Sequence, residues 1–180
     1  MQVNRDLPTL SEMTRICELK NGTKILLRPI RPEDTEIERS FISHLSSRSK
    51  YLRFFCGLNE LTPSMLSRFT HIDYQREMAL VAVLQSEGRE IEIAVGRFAP
   101  CPEDKSCEFA IVVDDKWQNQ GIGHQIMVDL IQAAKARGYK TMKGLILSAN
   151  SEMIQLAKEL GFKILPDQED AKVVNAIKEL

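Results

Sequence analysis

Apolar residues along this chain come in short blocks, and the spacing within each block sets the element it predicts. Residues 23–30 are dense in Ile and Leu and read as a strand. After Arg31-Pro32-Glu33-Asp34, a helix start with acidic residues in its first turn, Ile37, Phe41 and Leu45 recur every fourth residue and form one helical face. The segment 46–56, SSRSKYLRFFC, keeps no period and reads as irregular. Thr62 and Pro63 supply an N-cap and a first helical residue, with Met65, Leu66 and Phe69 as the buried face. Strands over 78–84 and 91–97 flank the hairpin turn Ser86-Glu87-Gly88-Arg89. A second turn, around 100–105, leads into a third strand whose apolar run is 109–113. Three strands joined by short turns predict an antiparallel meander.

The second half alternates helix and strand. Ile122, Ile126, Leu130 and Ala134 hold register over a helix from 121 to about 137, which Gly138 stops. A strand over 140–147 follows. The helix over 150–160 turns Met153, Leu156, Ala157 and Leu160 inward and ends at Gly161. Residues 162–165 and 172–177 are the last two strands. Residues 1–20 read as a polar lead-in with one short helix over 8–19, closed by an Asn21-Gly22 turn. The expected order is β-α-α-β-β-β-α-β-α-β-β. This is an α/β (α+β) chain with a mixed, mostly antiparallel sheet of about seven strands flanked by helices. The strand–helix–strand unit over 109–147 favours a right-handed parallel crossover. One domain is expected over 21–180, behind the lead-in.

Composition narrows the function classes. The chain has 180 residues, 43% apolar and 27% charged, which suits one globular domain with a sizeable core. With 24 basic and 25 acidic residues it carries no excess charge for a nucleic acid or a membrane surface. Arg48, Lys50 and Arg53 interleave with Tyr51, Phe54 and Phe55 as in a nucleic-acid patch. In a neutral chain this reads instead as an internal loop packing its aromatics and bordering an acceptor site. Cys17, Cys56, Cys101 and Cys107 lack CxxC spacing and read as free thiols of a reducing cytosol. Pairing of Cys101 with Cys107 across a hairpin is the alternative. His44, His71 and His124 lack ligand spacing, so no metal is expected. The N-terminus has no signal pattern and no stretch approaches the ~18 apolar residues of a membrane span, so a cytoplasmic location is expected.

The segment Glu108 to Gly123, EFAIVVDDKWQNQGIG, carries the chemistry. A strand feeds a polar turn, Gln118-Asn119-Gln120-Gly121-Ile122-Gly123, and a long helix starts at once. Free backbone N–H groups and the helix dipole make such a turn an anion cradle. Glu108, at the other end of the strand, is a candidate base. Asp114 and Asp115 are weaker rivals, because a polar turn solvates them. Trp117 reads as packing under the turn. No acidic residue closes the next strand, which ends in Ser148-Ala149-Asn150, so a dinucleotide fold fits poorly.

These residues resemble the acetyl-CoA-binding core of the GNAT superfamily of N-acetyltransferases, whose signature is (Arg/Gln)-x-x-Gly-x-(Gly/Ala). Together with LLRPIRPED (26–34), SKYLRFF (49–55) and IDYQREMALVAV (72–83), they resemble in particular the acetyltransferase domain of bacterial protein lysine acetyltransferases. The resemblance covers roughly residues 20–180 and implies a GNAT-type sheet. It implies that Gln118, Asn119, Gln120, Gly121, Ile122, Gly123 and His124 hold the CoA pyrophosphate through backbone N–H groups. Ile111, Val112 and Val113 would pair with the pantetheine arm as an added strand does, and place a donor near the thioester carbonyl. Asn150, with Met153 three residues on, would reach the cofactor. Glu108 would be the general base: at a lysine pKa near ~10.4 less than about one amine in a thousand is neutral at pH 7, and only the neutral amine attacks. Many relatives use a tyrosine seven residues after the asparagine as general acid. Here that residue is Ala157, which leaves the general acid for the thiolate unassigned; a CoA thiol is acidic enough that water could supply the proton.

The resemblance thus implies an acetyl-CoA-dependent N-acetyltransferase acting by direct transfer on protein lysine side chains, with acetyl-CoA as co-substrate and no metal. A small-molecule amine acetyltransferase and a catalytically silent CoA-binding regulatory module are the alternatives. A homodimer is a compatible assembly. Relatives of this branch often carry an acyl-CoA synthetase-like portion or a regulatory nucleotide-binding domain. Neither is encoded in these residues.

Overall fold

The computed structural model describes residues 7, 9–58, 60–102 and 105–180. Two strands, β1 (Arg15–Glu18) and β2 (Lys24–Pro29), form a hairpin around the Asn21-Gly22 turn. Three helices follow: α1 (Thr35–His44), α2 (Ser47–Phe54) and α3 (Pro63–Thr70). The meander is β3 (Met78–Ser86), β4 (Arg89–Pro100) and β5 (Ser106–Val113). Then come α4 (Ile122–Ala136), β6 (Thr141–Leu147), α5 (Ser151–Glu159), β7 (Lys163–Pro166) and β8 (Val173–Glu179). All strands join one sheet in the order β1-β2-β3-β4-β5-β6-β8-β7. Every neighbouring pair is antiparallel except β5 with β6, as the crossover requires.

Three expectations are corrected. The sheet has eight strands, not about seven. The extra one is β1, which replaces the C-terminal part of the short helix expected over 8–19, while residues 1–6 and 8 lie outside the described residues. The irregular segment 46–56 is mostly helix α2. Its start is fixed by Ser46, whose side chain accepts from Ser49 N at 3.1 Å, and its end by Phe55 in the left-handed region at φ 62°. Finally, β5 begins at Ser106, so Glu108 is its third residue rather than its first. The turn expected around 100–105 includes residues 103 and 104, outside the described residues.

Two cores form because both faces of the sheet are covered. Ile122, Ile126, Leu130 and Ala134 bury the stripe of α4 on one face with Ile93, Phe98 and Phe109. Phe41 of α1, Leu45 just after it and Leu66 of α3 cover the other, over Val81, Val83, Val95 and Val112. Met78 to Val83 are all buried, successive residues entering opposite cores, hence an uninterrupted apolar run in place of alternation. Gly96 lets α4 approach β4: a Cβ there would stand 2.4 Å from Ile126. This contact seats the N-terminus of α4 at the end of β5.

Candidate active site

β5 and β6 pair only over Ser106–Glu108 with Thr141–Lys143. Beyond Glu108 they diverge, β5 staying paired with β4 to Val113 and β6 with β8 to Leu147. The β6-facing edge of β5 is left without a strand from Phe109 to Val113. A wedge of about 260 Å³ opens there, lined by Glu108, Ala110, Ile111, Leu145, Asn150 and Met153 among others. It adjoins a larger groove of about 690 Å³ that runs past Ile111–Val113 to the start of α4.

The far end of the groove is the predicted anion cradle. Asn119 (φ 62°) and Gly121 (φ 89°) take left-handed backbone, which turns the chain sharply into α4. Gly121 is the N-cap and has no side-chain cap. The first helical bond runs from Gln125 N to the Gly121 carbonyl at 3.2 Å, so the N–H groups of Ile122, Gly123 and His124 have no acceptor within the helix. Gly123 packs closely on α5, since a Cβ there would lie 3.3 Å from Leu156. Gln118 braces the turn by donating to the Val113 carbonyl at 3.1 Å. Asp115 locks the opposite wall: it accepts from Ser46 N at 3.1 Å, Ser46 Oγ at 2.7 Å and Ser49 Oγ at 2.8 Å. Burial disfavours its charge, but these bonds outweigh that and hold its pKa below the usual carboxylate value. Asp115 is therefore a structural brace, and Asp114 caps its own turn through Lys116 N at 2.8 Å.

Of the residues expected to hold the cofactor, Ile111, Val112, Val113, Gln118, Asn119, Gly121, Ile122, Gly123, His124, Asn150 and Met153 line the groove. Gln120 does not; its carbonyl faces Lys20 N at 3.5 Å. Glu108 is exposed on the wedge side, beyond the groove's inner end. Asn150 caps α5 through Oδ1, which accepts from Met153 N at 3.2 Å. Ala157 is fully buried in the core, and no tyrosine lines either cavity. Trp117 packs against the core and also lines the groove. The four cysteines are free, and no cluster of metal-ligating side chains occurs among the described residues.

Three cations line these cavities; the sequence reading names Arg48 and Arg53 in a segment bordering an acceptor site and misses Lys20. Lys20 and Arg48 line the groove and Arg53 lines both cavities. The Lys20 side chain reaches Gly121 from the β1–β2 turn, about a hundred residues away in sequence, and only the Asn21-Gly22 turn marks its neighbourhood. The two arginines belong to the basic-aromatic segment, whose composition was visible and whose helical form was not.

A sequence profile described as "Acetyltransferase (GNAT) domain" matches residues 24–163. The chain belongs to the GNAT acetyltransferases. This acetyltransferase is 36% identical over 156 residues to "Acetyltransferase PA5475" of Pseudomonas aeruginosa, covering 87% of the chain and 84% of the relative. Its fold matches the GNAT domain of S. lividans PAT with a TM-score of 0.85 at 27% identity, over 96% of this chain and 100% of that one. A cAMP-binding acyltransferase from Mycobacterium smegmatis shares the fold at TM-score 0.63 and 23% identity, over 92% of this chain and 46% of the other. The enzyme is an N-acetyltransferase, and acetyl-CoA is its co-substrate. Among the described residues no helix is long and apolar enough to cross a membrane.

Proposed function

We propose that this acetyltransferase passes the acetyl group of acetyl-CoA directly to lysine side chains of proteins, with Glu108 as general base. The observation that carries the reading is the split between β5 and β6: a carboxylate stands in the wedge where the strands part, and the adjoining groove leads from that wedge to an uncapped helix N-terminus. The pyrophosphate binds the N–H groups of Ile122, Gly123 and His124, where the dipole of α4 and the Lys20 and Arg48 charges favour an anion. Pantetheine amides pair with the open edge of β5 at Ile111–Val113, as a strand would. That leaves the thioester beside the wedge. The amine enters from the wedge, Glu108 takes its proton directly or through one water, and the nitrogen attacks the thioester carbonyl. A backbone N–H of the β5 edge meets the negative charge that develops on the carbonyl oxygen. The CoA thiol is acidic enough for water to protonate the departing thiolate, which suits a site without a tyrosine. The protein acceptor is supported by the sequence resemblance to the lysine-acetylating branch and by the likeness to the GNAT domain of S. lividans PAT.

The test is Glu108→Gln, assayed by thiol release and by mass spectrometry of acetylated protein. The expected loss in kcat/KM near pH 7 is about 10²- to 10⁴-fold, with acetyl-CoA affinity retained and the residual rate rising with pH as free amine accumulates. Full activity in this variant would remove Glu108 from the role. Activity on polyamines or antibiotics alone would remove the protein acceptor.

A further inference from the structure

Arg53 is a cation for which the transfer step has no use. It lies near the C-terminal end of α2, half-buried, where the groove meets the wedge. Its guanidinium stacks on the Phe54 ring at 4.9 Å and has no hydrogen-bonding or ion-pairing partner among the described residues. The two arginines that the sheet strands bury on this face are matched, Arg28 by Asp34 and Glu90 and Arg97 by Glu38. Burial, with the positive charge of Arg97 nearby, pushes Arg53 down to about 10, while Glu38 and Glu108 oppose that shift from a distance. Holding a guanidinium partly out of water with no anion beside it is unfavourable, and its five N–H donors form a fork that fits a carboxylate. An anion arriving from outside would relieve that cost. Arg53 shares the groove with the cradle, but it also lines the wedge, where Glu108 stands and no residue of the cradle is found, so an anion arriving with the acceptor suits it better than the pyrophosphate.

We infer that Arg53 binds a carboxylate carried beside the target amine, so that the preferred acceptors are lysines flanked by aspartate or glutamate. The inference rests on the protein-lysine reading above. Glu108 and Arg53 then present opposite charges on the walls of one wedge, complementary to an ammonium and its acidic neighbour. Phe55 and Leu145, exposed at the rim of the wedge, cover the aliphatic stem of the lysine. A lysine among basic neighbours meets like charge instead.

The experiment uses the whole chain, acetyl-CoA and three peptides, each with one lysine flanked on both sides by Asp, by Asn or by Arg. The wild type should use the Asp peptide about tenfold better than the Asn peptide, and the Arg peptide least. In Arg53→Gln the Asp/Asn ratio should fall to about one, through a higher KM for the Asp peptide, and Arg53→Lys should recover part of it. The ratio is taken within one preparation, so a misfolded fraction cancels. Equal use of Asp and Asn peptides by the wild type, or an undiminished preference in Arg53→Gln, overturns the inference alone. A rise confined to the KM for acetyl-CoA assigns Arg53 to the cofactor and also overturns it. Failure to acetylate any peptide, with small amines accepted, overturns both this inference and the protein-lysine reading.

Discussion

Glu38 of α1 and Glu92 of β4 bring two carboxyl groups together in the sheet–helix interface, at 1% and 4% exposure. Arg97 donates to Glu38 Oε1 at 3.0 Å and to the Phe69 carbonyl at 3.0 Å. Glu38 Oε2 and both Glu92 oxygens have no donor. A proton on Glu92 supplies one, leaving a single negative charge for Arg97 to balance. Burial first, then the charge of Glu38, raises the Glu92 carboxyl well above its ordinary 4.5. The folded state therefore holds this proton to higher pH than the unfolded chain does. The stability it confers is complete below the ordinary value and is lost as pH rises through the folded value. Melting temperatures measured from pH 5 to 9 should fall progressively as the pH rises for the wild type. Glu92→Gln should flatten that fall and exceed the wild type at pH 9; an unchanged profile would mean that Glu92 is ionised throughout. Nothing in the spacing of Glu38 and Glu92 announces this pair, since fifty-four positions and three elements separate them. Glu108, by contrast, could be singled out from its own strand and turn.

At the level of elements, legibility follows how local the cause is. The apolar stripe of α4 and the Thr62 cap of α3 are encoded within a few residues, and both were readable. Helix α2 has a polar sequence, and its position depends on Asp115, sixty-nine and sixty-six positions from the Ser46 and Ser49 that it binds. Strand β1 buries Cys17 alone of its four residues, too little for a period to show. Asp115→Ala should accordingly loosen α2 rather than unfold the protein. Hydrogen exchange over residues 46–54 should accelerate about tenfold, with a stability loss of about 1 kcal/mol. If α2 exchanges as before, its placement rests on packing instead. Gly123 offers a second element-level test, because its Cα sits between the cradle and Leu156. Gly123→Val should weaken acetyl-CoA binding by about tenfold or more, measured by calorimetry. Unchanged affinity would dismiss the cradle.

Across the whole molecule, the sheet is the framework and its one parallel pair is the exception that makes room. The order of elements after residue 21 was largely legible because each β–turn–β and β–α–β step is set by its own turn. The point at which β5 and β6 part was not legible, because it depends on β8 pairing with β6 from the far end of the chain. A ligand that fills the gap ties both halves of the sheet. Acetyl-CoA at a hundred times its Kd should stabilise the fold by about 2.7 kcal/mol, raising the Tm by about 5–10 °C. Amides of Phe109–Val113 should exchange more slowly in its presence. A Tm gain without slower exchange there would place the ligand elsewhere.

The open row of backbone groups on β5 has one more consequence. Unpaired strands at the rim of a sheet invite a second molecule to add on and begin aggregation. The outer rims of this sheet are β1 and β7, each only four residues long. The long unsatisfied row lies in the middle, walled by its neighbours, where another folded protein cannot come alongside. The fold can therefore stay permanently incomplete, and yet remain a poor template for its own copies.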